Sequence, residues 1–577
     1  MAIEELDAVA LSFGLFACLY GLFSYQIKER LYLSEAPLAF LVGILIGPYG
    51  LGQLTKWDGE GEDAAYADQI SLGLSRIVIG IQVALVGVQL PKYYLIHELR
   101  SLSIMLIPVM ACMWLITAVL ITWVIPDVPL IVALVIAASA TPTDPVLSNA
   151  LVKGSFADQY VPARLRNVIS AESGCNDGLA YPFLFLAIRL LKAPTTSQAL
   201  GNWLLTDIVY TVVAGAAMGV AIGLAANRAL RFSCRHDFID KESFLLFGPM
   251  LGLASIGLAG AMGLDDVLVS FVAGNAFTYD DWYRVETEED EVQNVLDFLL
   301  NSIFFAFAGA AVPFATFNLP DLGITPWRLI VLAVLVLLLR RLPPMLLFYK
   351  AIPALRDVSE AAFVGYFGPI GAGAILYASI ILHEFPLVSD GLDPMGQRVR
   401  ELIRPITFVL VLASLLGHTL LVPAVKFFLD ARGARDERHE AASADEGEDD
   451  DEAAEEHYES GMSPPPEDSQ GQRRRGPGSV RGRSSMVGTP DVEMAQPASS
   501  VHHATLRARS SSTTADVNAA YCRRRSTADG SLERGNGGVE GASAPHVDES
   551  SWRHSSGHKL GPHRAVEAHE RDRSRRG

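Results

Sequence analysis

Apolar runs of bilayer length, separated by short polar gaps, recur from about Ala8 to Leu429, and none follows Asp430. A helix needs about twenty such residues to cross the hydrocarbon core, so the pattern predicts roughly thirteen spans. They fall near 8–26, 36–54, 72–91, 102–125, 128–152, 161–190, 203–227, 242–262, 264–279, 292–317, 328–349, 358–382 and 403–428. The expected class is therefore an all-α polytopic membrane protein, with residues 1–430 as the transmembrane domain and 431–577 as a hydrophilic tail. The opening stretch MAIEELDAVALSFG carries Glu4, Glu5 and Asp7 and lacks the basic start of a leader, so its apolar run is expected to remain as the first span.

Charge in the gaps gives an orientation, because cytoplasmic loops keep Lys and Arg. One side collects Lys28, Arg30, Lys92, Arg100, Lys153, Arg164, Arg166, Arg228, Arg231, Arg235, Lys241, Arg284, Lys350 and Arg356; the other holds Lys56, Arg189, Lys192, Arg328, Arg398, Arg400 and Arg404. The richer side, with the tail, is expected in the cytoplasm and the N-terminus outside. The acidic loop from Lys56 to Gln69 then faces outward, most simply as a solvated loop.

Composition changes this picture only in the tail. Half the chain is hydrophobic and the mean hydropathy is +0.28 over 577 residues, although the tail is very polar. Rich in Glu, Asp, Ser, Gly, Pro and Arg, that tail is expected to be mostly disordered. Its RGRSS from Arg481 and RRRST from Arg523 are candidate kinase or regulator sites. The net charge of -18 argues against a nucleic-acid partner. Five scattered cysteines make neither a disulfide nor a zinc framework, and with no phosphate-binding GK[ST] loop no cofactor is expected.

The chemistry lies where spans are interrupted. In ATPTDPVLSN, Ala140 to Asn149, Pro142 and Pro145 each remove a backbone donor and disfavour helix before them. The chain should unwind around Thr141 to Asp144 and restart with Asp144 as N-cap and Pro145 in the first turn. Unwound backbone is tolerated at membrane depth only when buried in protein or lining a wet cavity, where its carbonyls, helix ends, Thr141, Thr143 and Asp144 could surround an ion. Read alone, the same stretch has a lesser alternative, a kinked packing helix with a capping aspartate.

The next span adds Glu172, Ser173, Asn176 and Asp177, and ionisable groups at that depth are expensive enough to be presumed functional. Glu172 and Asn176 share a helix face, while Asp177 lies about 140° round from Glu172, so one acid can be paired and the other left open. Asp177 is the candidate exchange site, able to hold either a proton or a cation. Glu172 needs a counter-charge, for which Arg340 and Arg341 in LVLLLRRLPPMLL are the candidates, with snorkelling to the surface as Arg340's plainer reading. GYFGPIGAGAILYA, Gly365 to Ala378, is a second interrupted span and the expected partner of the first in an inverted half. Asp265 and Asp266 begin a short span and either serve a cation path or cap the helix.

Together, TDPV at Thr143–Val146, ESGCND at Glu172–Asp177, LDDVLVSFVAGNAFTYDDWY from Leu264 and FGPIGAGAILYA from Phe367 resemble the monovalent cation/proton antiporter family, and most closely its fungal plasma-membrane sodium/proton members. The resemblance covers about residues 8–430. It implies two inverted repeats, two broken helices crossing at mid-membrane, and a mobile core working against a dimerising scaffold. It also implies that Asp177 binds cation or proton, that Asp144, Thr143 and Ser173 complete the ion shell beside Asn176, and that Glu172 pairs with Arg341. Asn176 replaces the second aspartate of some relatives, which bears on how many protons are exchanged. The resemblance implies a homodimer that exports Na+, with K+ and Li+, against proton entry at the plasma membrane. An endosomal K+/H+ exchanger, a cation channel and a sensor with the tail as its output are the alternatives. The absence of a TVGYG-like filter weighs against the channel.

Overall fold

The computed structural model describes residues 5–30, 33–52, 64–145, 147–148, 155–288, 290, 292–386 and 393–419. Residues 53–63 of the acidic loop region and the whole expected tail lie outside them. Each of the thirteen predicted spans contains a helix. These are α1 Glu5–Tyr25, α2 Glu35–Ile46, α3 Ala64–Gln89, α4 Leu99–Val124, α5 Leu130–Ser139, α6 Ala163–Lys192, α7 Thr196–Arg235, α8 Lys241–Ala261, α9 Asp266–Phe277, α10 Val292–Ala310, α11 Pro326–Leu339, the two halves α12 Val358–Tyr366 and α13 Ala372–Glu384, and α14 at 394–419. Among the described residues seven helices are long and apolar enough to cross a bilayer. Among the described residues the only extended pairing is an isolated bridge between Leu319 and Ile324.

The helices sort into two packed groups. In the first, α9 lies against α3, α7 and α8, and α2 lies against α10. Without a hydrophobic driving force between helices in lipid, such contacts depend on close backbone approach over small residues. Gly43 and Gly309 provide it where α2 meets α10, since a Cβ on either would overlap the carbonyl oxygen of Ala306 or Phe40 across the crossing.

The second group is two triplets, α4 to α6 and α11 to α14. Helix α5 packs on α4 and α6, and α13 packs on α5. In each triplet the middle span is the broken one: helix stops at Ser139 and resumes at Pro145, and stops at Tyr366 and resumes at Ala372. Helix α11 is itself interrupted at Arg340 and Arg341 before the short turn Leu342–Phe348, whose Pro343 and Pro344 cannot continue the hydrogen-bond ladder. This interruption lets both guanidiniums turn inward.

The groups touch along α3, α6, α9, α13 and α14. Ser71 and Ser379 share a 2.9 Å hydrogen bond, Asp68 accepts from Arg400 at 3.1 Å and also from Arg404, and Gly178 admits Leu268 of α9.

Gly309→Leu should cost about 1–3 kcal/mol through overpacking at the α2–α10 crossing. It should lower the melting temperature in detergent, whereas Leu15→Ala at an exposed lipid-facing position should leave it unchanged.

Candidate functional site

Breaking two helices at membrane depth frees carbonyls at the ends of α5 and α12 and amides at the starts of the segments that follow. These groups have no water to turn to, so each must find a partner in the protein. The two breaks are placed against each other, and two charged side chains sort the freed groups by sign.

Asp144 takes the amides. Its Oδ1 accepts from Leu147 N at 3.1 Å, capping the helix that restarts at Pro145, and its Oδ2 accepts from Ala372 N, the first residue of α13. Its own N–H donates to Pro369 O at 2.9 Å. Two positive helix ends therefore converge on one carboxylate. Gly371 makes the approach possible, because a Cβ there would overlap Asp144 Oδ2.

Arg340 takes the carbonyls. Its Nη1 donates to Ala140 O, with a longer 3.4 Å contact to Pro142 O, and its Nη2 donates to Gly368 O. Only 2% exposed, it bridges both breaks and does not snorkel to the surface, correcting the plainer reading of its position. Sequence reasoning missed this role, since nothing local in LVLLLRRLPP says which carbonyls 200 residues away need a donor.

Arg341 reaches Glu172 with both arms of its fork, Nη1 to Oε1 at 2.6 Å and Nη2 to Oε2 at 2.8 Å, and its Nε donates to Val364 O at 3.1 Å. Both side chains are 3% exposed. The pair ties α6 to the interrupted α11 and to α12, and its bidentate geometry is what a buried ion pair needs to offset desolvation.

Glu172 also accepts from Asn176 Nδ2 at 3.2 Å. The same amide donates to Thr143 Oγ1 at 2.7 Å and receives Thr143 N at 3.1 Å, so Asn176 holds the unwound Thr143 in place from α6. Ser173 Oγ lies 3.2 Å from Thr143 Oγ1. Thr141 is fully buried and donates its hydroxyl back to Ala137 O at 2.9 Å, leaving only lone pairs to offer.

Asp177 stands apart from these bonds. It is 1% exposed, and neither Oδ1 nor Oδ2 has a hydrogen-bond partner among the described residues. Around it, Tyr377 donates to the Asp177 backbone carbonyl rather than to the carboxylate. Gly373 of α13 faces the carboxylate closely enough that a Cβ would lie 2.5 Å from Oδ1. The flat GAGA run around Gly371 and Gly373 was legible as a helix breaker, but its use as clearance for two carboxylates was not.

Asp265 and Asp266 divide. Asp265 caps α9, accepting from Leu268 N at 3.0 Å, and its Oδ2 is buried without a partner among the described residues. Asp266 pairs with Arg76 of α3 at 2.6 Å.

Two broken helices thus meet inside a helical membrane protein, with the hydroxyls of Thr143 and Ser173 paired and the Asp177 carboxylate unbonded among the described residues. In comparison with known proteins, a family profile described as "Sodium/hydrogen exchanger, transmembrane" matches residues 14–427. The chain belongs to this exchanger family. It is a multi-pass membrane protein, and the family's members move ions rather than catalyse reactions.

Among relatives, the chain is 38% identical over 418 residues to Na(+)/H(+) antiporter 2 of Zygosaccharomyces rouxii, covering 70% of this chain and 51% of that one. It is 37% identical over 419 residues to the Na(+)/H(+) antiporter of Saccharomyces cerevisiae, covering 70% and 42%. An Na(+)/H(+) antiporter of Schizosaccharomyces pombe is 31% identical over 425 residues, covering 72% of this chain and 89% of its own. The chain thus spans about half the length of the first two relatives. In structure it is similar to the sodium proton antiporter MjNhaP1 of Methanocaldococcus jannaschii, with a TM-score of 0.52 at 18% identity over 72% of this chain and 100% of that one, a likeness of fold.

Two outcomes follow. Glu172→Ala leaves the Arg341 charge buried and alone, which should cost about 3–5 kcal/mol and be seen as a large drop in the detergent melting temperature. Gly373→Ala sets a single methyl group against the Asp177 carboxylate and should leave the detergent melting temperature near wild type while weakening whatever Na+ binding the purified wild type shows on titration.

Proposed function

We propose that this exchanger is a secondary active antiporter that exports cytoplasmic Na+, and with it K+ and Li+, in exchange for external H+. The observation that carries the reading is Asp177: a carboxylate buried in the membrane domain with neither oxygen bonded among the described residues. A bare carboxylate in that environment is costly, and it is relieved by a proton or by a cation, not by both at once. Competition for one group then couples the two flows. When the site faces the cytoplasm, Na+ displaces the proton; when it faces outward, the higher proton concentration displaces Na+.

In this reading Asp144, Thr143 and Ser173 supply the other oxygens, the Asn176 amide holds Thr143 on the site, and Thr141 contributes lone pairs from the edge. Glu172 and Arg341 hold the frame, and the free Asp265 oxygen on α9 is a waypoint on the cation path, with Asp266 engaged by Arg76. Asp177 and Asp144 are ligands to transported cargo, and no resident cofactor is part of the proposal. For a one-for-one exchange, one pH unit across the membrane supplies about 1.4 kcal/mol, enough to hold a tenfold cation gradient.

The wider assignment is also ours. We place the protein in the plasma membrane as a homodimer, with the N-terminus outside. Residues 1–430 form the exchanger domain, and 431–577 form a cytoplasmic tail open to kinases or other regulators. It rests on the charge bias of the loops and on likeness to the fungal antiporters. Ion pairs respect that bias. Arg164 meets Glu360 and Lys241 meets Asp290 on one side, while Arg189 meets Asp207 and Lys192 meets Glu384 on the other.

The test is cation-driven proton movement in sealed proteoliposomes with the membrane potential clamped. Na+ pulses should move protons through the wild type and not through Asp177→Asn. Exchange persisting in the mutant, or cation conductance in the wild type that needs no proton, would overturn the proposal.

A further inference from the structure

The second break has one group of partners still to be explained. Helix α14 is apolar for most of its length, yet it buries Ser414 and His418 one turn apart and aims both at the unwound segment 367–371. Ile370 N donates to Ser414 Oγ at 2.7 Å. His418 Nδ1 lies 3.1 Å from Ser414 Oγ, and His418 Nε2 lies 3.1 Å from Tyr366 O, the last carbonyl of α12. The Tyr366 and Phe367 rings pack beside the imidazole, with centroids at 5.5 and 6.3 Å.

The tautomer of His418 sets the direction of these bonds, and with the hydrogen on Nε2 every one of them has a donor and an acceptor. A carbonyl only accepts, so Nε2 must carry a hydrogen for the Tyr366 contact. Ser414 Oγ already accepts from Ile370 N and keeps its own hydrogen to donate. In the Nε2–H tautomer His418 Nδ1 is an acceptor at the right distance. The result is one continuous path, from Ile370 N–H to Ser414 O–H to His418 Nδ1, and from His418 Nε2–H to Tyr366 O. It joins the amide freed on one side of the break to the carbonyl freed on the other. Ser414 Oγ lies 3.1 Å from Nδ1 and Ser414 O lies 2.9 Å from it, so a hydrogen placed on Nδ1 would turn instead to the α14 backbone and open the path.

We propose that Ser414 and His418 are positioning residues for ion exchange: a hydrogen-bonded bridge from α14 that holds the 366–372 segment so that Ala372 N stays on Asp144 and Gly373 stays clear of Asp177. The bridge touches neither cation nor proton at the site. It acts through Ile370, which lies two residues before Ala372, whose amide Asp144 accepts. Arg340 and Arg341 hold the neighbouring carbonyls, Gly368 O and Val364 O, and are the charged groups facing this segment from α11. Those two arginines fix the carbonyl side of the break; Ser414 fixes the amide side, for which Arg340 has no acceptor. The proposal deepens the antiporter reading and depends on it for its transport consequence only.

Two measurements separate the bridge from that reading. The first is amide hydrogen exchange in purified protein over a peptide spanning 366–372, comparing wild type, Ser414→Ala, Ser414→Thr, His418→Phe and His418→Gln. Ser414→Ala and His418→Phe should exchange at least about tenfold faster at Ile370. Ser414→Thr, which keeps the hydroxyl, and His418→Gln, whose amide can both donate and accept, should restore protection. The second is Na+-driven proton flux in proteoliposomes. There Ser414→Ala and His418→Phe should raise the apparent KM for Na+ roughly tenfold while changing the maximal rate little, with Thr and Gln recovering KM. Unchanged protection in Ser414→Ala, or a shift in KM that Thr and Gln do not rescue, would overturn the bridge. The hydrogen-exchange arm reads it whether or not the wild type exchanges Na+ for H+, so the bridge and the antiporter reading fail separately.

Discussion

Everything at the centre of this protein follows from one constraint: backbone groups released at membrane depth must be bonded by protein, because no water is there to take them. Two helices are broken, and each break frees groups of both signs. Amides at the restarting ends gather on Asp144, and carbonyls at the stopping ends gather on Arg340. The helix ends carry the matching partial charges, positive towards the carboxylate and negative towards the guanidinium. Two side chains of opposite charge therefore lock two helices that cross.

That lock explains why Asp177 can stay unbonded. Asp144 and Arg340 are committed to the backbone, Glu172 and Arg341 to each other, and Asn176 to Thr143. With every nearby charged partner engaged, Asp177 has neither a counter-ion nor a hydrogen-bond donor of its own among the described residues. Site geometry and site reactivity thus have different owners. The frame is fixed by groups bonded to the backbone or to each other, and in the proposed exchange Asp177, the group left over, is the one that changes what it binds. Gly371 and Gly373 supply the clearance that keeps both carboxylates close to α13 without steric overlap.

Much of this could be read in the sequence, for physical reasons specific to each part. Spans were legible because hydropathy records length directly, and the first break was legible because Pro142 and Pro145 act on their own backbone. Asp144's capping role came from its place before Pro145, and the acids of α6 stood out because charge is rare in apolar runs. Arg340 was not legible, since its partners are carbonyls brought near only by the crossing. Ser414 and His418 left a faint signal, two polar residues one turn apart in an apolar helix, but their target is a segment of another span. Asp265 and Asp266 looked equivalent as neighbours in sequence. The fold gives one a cap and an oxygen with no partner among the described residues, and the other an arginine. In each missed case the information lay in which segments meet, not in the segment itself.

The central claim is that cation and proton compete for the same carboxylate, and it is tested most directly without transport. Na+ is added to weakly buffered, purified protein containing a pH indicator, and proton release is followed for the wild type and for Asp177→Ala. The account expects Na+ to release protons from the wild type, with apparent Na+ affinity falling as the solution is made more acid, and no release from the variant. Na+ binding without proton release, or release that survives loss of Asp177, would contradict it.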